Sequence, residues 1–107
     1  MDKEAALETL SRVRARIERR GVRVSKLVLY GSFAAGTARE TSDINVVVIS
    51  DDCEGKGYWE RIDLLSDAIY EVFAPLEAVA MTPEEWERGD SFVVDYAKKN
   101  GEVVFTA

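Results

Sequence analysis

The 107 residues allow one domain with a real core but leave no room for a separate substrate domain. Lys and Arg number 14 against 20 Asp and Glu, for a formal net charge of −6, so the chain is poorly suited to grip a nucleic-acid backbone directly. With no His and a single Cys, Cys53, it excludes an internal disulfide, Ser-His-Asp and Cys-His catalysis, and any His-ligated metal. Any metal must then be held by oxygen, which points to magnesium or manganese.

In chain order, residues 2–20 read as a helix, with Leu7, Leu10, Val13 and Ile17 at helical spacing and Gly21 just beyond two arginines. This N-terminus is charged and helical, unlike a signal peptide. With no apolar run of membrane-spanning length, a cytoplasmic location is expected. The absence of Gln, with only Asn45 and Asn100 as amides and 32% charged residues, leans towards a thermophilic source. Arg12, Arg14, Arg16, Arg19 and Arg20 spread around the helix and read as a solvated face.

Residues 24–30 read as a strand ended by Gly31, followed by the small-residue run GSFAAGTA. Residues 43–50, DINVVVIS, carry the clearest strand signal. Apolar residues on both faces after Asn45 predict a central, buried strand. Residues 51–57 read as a loop. Residues 58–73 read as a second long helix, with Ile62, Leu65, Ile69 and Phe73 on one face and Pro75 as its stop. A third strand spans 76–81. Thr82-Pro83-Glu84-Glu85 then has the form of a capping box with proline at the first helical position. A last helix is expected over 91–99 and a short strand over 102–105. Trp59, Trp86, Phe92 and Tyr96 fall at helical positions and are expected in the core or an interface. The alternation predicts an α/β (α+β) fold, a small mixed sheet of three to four strands with helices packed on it.

The segment from Gly31 to Asn45 carries the chemistry. Gly31-Ser32 ends a strand and opens a helical turn, which either points backbone N–H groups at a phosphate or is a plain tight turn. Asp43 and Asn45 lie two apart, so a strand projects both from one face. They either hold a magnesium ion against a triphosphate or cap local backbone. Glu77 interrupts an apolar strand; it either joins Asp43 and Asn45 or is solvated at a sheet edge.

Gly31-Ser32, ten intervening residues and Asp43-x-Asn45 resemble the Gly-Ser, ten residues, Asp-x-Asp motif of the minimal nucleotidyltransferases of the DNA polymerase β superfamily. The third strand, TPEEW and the terminal GEVVF extend the likeness over nearly the whole chain. The resemblance implies a nucleotidyltransferase fold, with Gly31 and Ser32 binding the triphosphate and Asp43, Asn45 and Glu77 as metal ligands. Asp43 and Glu77 would be catalytic, with Glu77 receiving the acceptor's proton. It further implies Mg2+ or Mn2+ and an NTP, ATP being favoured. The reaction is transfer of a nucleoside monophosphate, AMP by preference, to a hydroxyl with release of pyrophosphate.

It also implies a HEPN-type helical protein as partner, in the manner of toxin–antitoxin pairs. So short a chain would have a shallow acceptor pocket, so a homo-oligomer or a second protein is expected to complete it. Three positions depart from the pattern. Asn45 replaces a second Asp, Glu77 is one methylene longer than the usual Asp, and Ala35 stands where an Arg is common. Two functions follow: a nucleotidyltransferase weakened at its metal site, or a catalytically degenerate, antitoxin-like module that binds nucleotide or a helical partner.

Overall fold

The structure, a computed structural model, describes residues 1–89 and 91–107. Helix α1 covers Lys3–Arg19, strand β1 Lys26–Tyr30, the single-turn helix α2 Ser32–Ala35, and strand β2 Ile44–Ile49. A 3-10 turn at Asp51–Cys53 leads into α3, Tyr58–Val72. Strand β3, Leu76–Met81, helices α4, Pro83–Arg88, and α5, Phe92–Asn100, and strand β4, Glu102–Thr106, complete the chain.

Local chemistry explains the boundaries. Asp2 caps α1 by accepting from the Ala5 N–H at 2.8 Å, and Gly21 leaves the helix at φ +87°. The capping box at α4 forms as expected. Glu85 N–H donates to Thr82 Oγ1 at 3.1 Å and Thr82 N–H to Glu85 Oε1 at 2.8 Å. Because Pro75 follows, α3 stops at Val72, and Phe73 turns to φ 53°. That turn carries Phe73 off the apolar face on which it was expected and leaves it exposed; Ala68 is the residue that buries beside Leu65.

The sheet has four strands in the order β3-β2-β1-β4. β1 runs antiparallel to β2 and β4, and β2 runs parallel to β3, so the sheet is mixed, with β2 inside it as its apolar faces require. β1 starts two residues later than expected, although Val22 and Val24 are buried and Ser25 N–H already donates to the Ile49 carbonyl.

Helices cover both faces. On one, Leu27, Leu29, Ile44, Val46 and Val48 pack with Ala6, Leu10, Val13 and Ile17 of α1, Leu65 and Ala68 of α3, and Phe33 of α2. On the other, Val28, Val47, Ile49 and Met81 pack with Trp86 of α4 and Val94 and Ala97 of α5. The arginines of α1 are not all a free face. Arg16 and Arg20 pair with Glu71 of α3, and the Arg14 guanidinium lies 4.0 Å over the Phe105 ring. Among the described residues no helix is long and apolar enough to cross a membrane.

Candidate active site at the end of the central strands

Strand register decides which side chains meet. Tyr30 pairs with Asn45 across β1 and β2, and Asn45 pairs with Glu77 across β2 and β3. Directly paired residues project from the same face, with strands about 4.8 Å apart. Tyr30, Asn45 and Glu77 therefore form one row on the face that α4 and α5 cover further along. Asp43, two residues before Asn45, extends the row beyond the start of β2.

The structure describes where Glu77 lies. It stands on the edge strand and is exposed, and it shares a face with Asp43 and Asn45. Asp43 is exposed and Asn45 half-buried. No side-chain hydrogen bond or ion pair engages any of the three among the described residues.

Gly31 closes the row on the β1 side. Its φ of 80° and ψ of −153° lie in a region essentially reserved for glycine. A Cβ there would stand 2.6 Å from Asn45 Nδ2, so the backbone approaches the amide more closely than any other residue would permit. Ser32 begins α2, whose single turn is closed by Ala35 N–H donating to the Gly31 carbonyl at 3.0 Å. Phe33, 2% exposed, anchors that turn in the first core. The Gly-Ser turn is thereby fixed against the end of β2. Ala35 is exposed on the last position of α2.

The electrostatics agree with this placement. Burial pushes the Tyr30 hydroxyl above its ordinary pKa, and the Glu77 carboxylate raises it further, so the two ends of the row feel one another. Among the described residues no three acidic or Cys side chains gather as a metal centre. The row offers two carboxylates, Asp43 and Glu77, with the neutral amide of Asn45 between them.

A cavity of about 580 Å³ lined by Asp51, Arg61, Thr82, Glu85 and Arg88 lies elsewhere, at the opposite ends of β2 and β3. There Arg61 Nη1 donates to Glu85 Oε1 at 2.7 Å. Burial raises the Glu85 pKa, but the Thr82 N–H and the Arg61 guanidinium outweigh it and hold the carboxyl below the ordinary Glu range. Asp52 is likewise structural, accepting from the Arg23 N–H at 2.8 Å.

The family model described as a nucleotidyltransferase domain matches residues 10–104. The chain belongs to this family. The solved structures agree on the fold. A candidate nucleotidyltransferase from Sulfolobus solfataricus superposes with a TM-score of 0.74 at 13% identity, over 97% of this chain and 83% of that one. A toxin–antitoxin complex with AMP-PNP gives a TM-score of 0.56 at 20% identity, over 87% and 70% of the two chains. The complex of the tri-AMPylated Shewanella oneidensis HEPN toxin with MNT antitoxin gives 0.54 at 15% identity, over 98% and 73%. No curated protein matches the sequence. The expected nucleotidyltransferase family and mixed-sheet fold are therefore borne out.

Sequence reasoning missed the aromatic flank of this site. Tyr30 bounds the row, its ring 6.3 Å from that of Tyr96 and at 73° to it. Trp86 is core as expected, whereas Trp59 and Phe92 are exposed. The signal for Tyr30 was available, since it directly precedes Gly31 and shares the parity of Val28.

Proposed function

We propose that this nucleotidyltransferase domain transfers AMP from ATP to a hydroxyl of a helical, HEPN-type partner protein, at a rate lowered by Asn45. The observation that carries the reading is the register that sets Asn45 beside Glu77, with Asp43 next to them, against the Gly31-Ser32 turn. The structural neighbours support the choice of nucleotide and acceptor, since one holds AMP-PNP and another contains an AMPylated HEPN toxin.

Each residue has a role in this chemistry. Gly31, lacking a Cβ, lets phosphate approach the backbone, and Ser32 can donate through its hydroxyl and amide. The donor set of the row is all oxygen, with Asp43 and Glu77 carboxylates and the Asn45 carbonyl, which suits Mg2+ or Mn2+. With one fewer carboxylate than a three-acid site, it suits one ion better than two. When bound, the ion would neutralise the phosphate oxygens and the departing pyrophosphate. Glu77, which is exposed, takes the proton of the acceptor hydroxyl in this reading. The hydroxyl oxygen bonds to the α-phosphorus as the α–β bridging P–O bond breaks. The row is open, so the acceptor side is completed by a partner or by a second copy of the chain.

Melting with and without ATP and Mg2+ tests this. Ligand at a hundred times its dissociation constant adds about 2.7 kcal/mol, worth on the order of 10 °C here. A magnesium-dependent rise is expected for the wild type, a larger one for Asn45→Asp, and none for Asp43→Ala. No magnesium-dependent rise in the wild type or in Asn45→Asp would overturn the reading.

A further inference from the structure

Helix α5 turns two faces in different directions. Val94 and Ala97 are buried in the second core, while Phe92 and Tyr96, one helical turn apart, are 83% and 40% exposed. Their rings lie 24° from parallel with centroids 6.4 Å apart. Tyr96 also meets Tyr30 edge-on, and Tyr30 adjoins Gly31 in sequence and Asn45 in register. A continuous line of three rings thus runs from the Gly-Ser turn outwards over α5. The exposed pairs Tyr58–Trp59 and Tyr70–Phe73 sit at the two ends of α3, which packs on the other face of the sheet. The Tyr30-Tyr96-Phe92 line, by contrast, starts on the sheet face that carries Asn45 and Glu77.

We propose that Tyr96 and Phe92 form the stacking surface for the base of the nucleoside triphosphate, and that the domain consequently prefers purines to pyrimidines. The inference rests on the reading that the Gly31-Ser32 turn receives the triphosphate. A ligand held there by its phosphates has its base on a tether, and this line of rings begins at Tyr30, directly before the turn. Stacking rewards overlapping π-area rather than a particular base edge. A bicyclic purine covers more of a tyrosine ring than a pyrimidine does, so ATP and GTP bind alike and UTP more weakly.

Calorimetric titration in magnesium decides the matter, using ATP, GTP, UTP and inorganic tripolyphosphate against the wild type, Tyr96→Ala, Tyr96→Phe and Phe92→Ala. Base stacking is worth about 1–3 kcal/mol per base on alanine substitution, so Tyr96→Ala should weaken ATP roughly tenfold. Tripolyphosphate should bind that variant as it binds the wild type, Tyr96→Phe should keep ATP affinity, and the purine preference should shrink in both alanine variants. Both side chains are exposed, so circular dichroism should show all variants folded. Should ATP and tripolyphosphate bind the wild type equally, or weaken together in Tyr96→Ala, the stacking surface is overturned while the phosphate site stands. Should the wild type bind neither, the phosphate site falls and the base surface with it. Unchanged ATP binding in Tyr96→Ala, with loss of self-association on sedimentation, would reassign the rings to a subunit contact.

Discussion

Gly31→Ala strikes the closest approach in the candidate site. Two costs combine. The first is conformational, because φ 80° with ψ −153° is all but closed to an L side chain, at about 1–3 kcal/mol. The second is a collision, since the new Cβ would lie 2.6 Å from Asn45 Nδ2 and 3.4 Å from Asn45 Cγ. Taking about 2 kcal/mol from strain alone, and about 4–8 °C per kcal/mol for a domain of this size, the variant should melt roughly 8–16 °C lower. The collision can be separated by a double-mutant cycle. In Asn45→Ala both nearer atoms are gone, and the remaining Cβ at 3.5 Å is an ordinary contact. Gly31→Ala should therefore cost less in that background, with a coupling of about 0.5–3 kcal/mol. Urea unfolding followed by circular dichroism measures all four corners. Costs that add within about 0.5 kcal/mol would show that Gly31 does not press on Asn45. A Gly31→Ala protein as stable as the wild type would refute the assigned turn altogether.

Three further substitutions test what supports the site. Phe33→Ala removes the anchor of the Gly-Ser turn from the first core, and deleting a buried Phe costs about 3–5 kcal/mol; a loss below about 1 kcal/mol in urea unfolding would show that the ring does not hold α2. Gly101→Ala would drive a Cβ into the Ala97 carbonyl oxygen and to 2.9 Å from that of Leu29, where backbone cannot yield. It should cost about 1–3 kcal/mol and speed amide exchange along β1 and β4, whereas wild-type exchange would refute that packing. Glu85, held below the ordinary Glu range in the fold, contributes stability above its unfolded pKa and loses it as pH falls through the folded value. The wild-type urea midpoint should decline as pH falls below the ordinary Glu value of 4.5, and Glu85→Gln should decline less; parallel declines would show that the carboxyl titrates alike in both states.

What the sequence determined by itself is whatever short-range chemistry controls. Thr82-Pro83-Glu84-Glu85 forms its box because both hydrogen bonds span three residues. The central position of β2 follows from apolar residues on both faces, and the spacing from Gly31-Ser32 to Asp43-x-Asn45 was enough to identify the family. Phe73 shows where local reading stops. Helical periodicity placed it inside, but the turn that precedes Pro75 carries it out.

Tertiary structure alone decided the meeting of Asn45 and Glu77. They are 32 positions apart in the chain (77 less 45) and become neighbours through the parallel register of β2 and β3. A slip of one residue would have sent Glu77 to the other face. The contact of Tyr30 with Tyr96, and through it with Phe92, was beyond the sequence for the same reason. Helical spacing marks Phe92 and Tyr96 as one stripe, but only the docking of Val94 and Ala97 against the sheet determines that this stripe faces water beside the site. Periodicity gives each segment its faces, while long-range pairing and packing choose which faces meet.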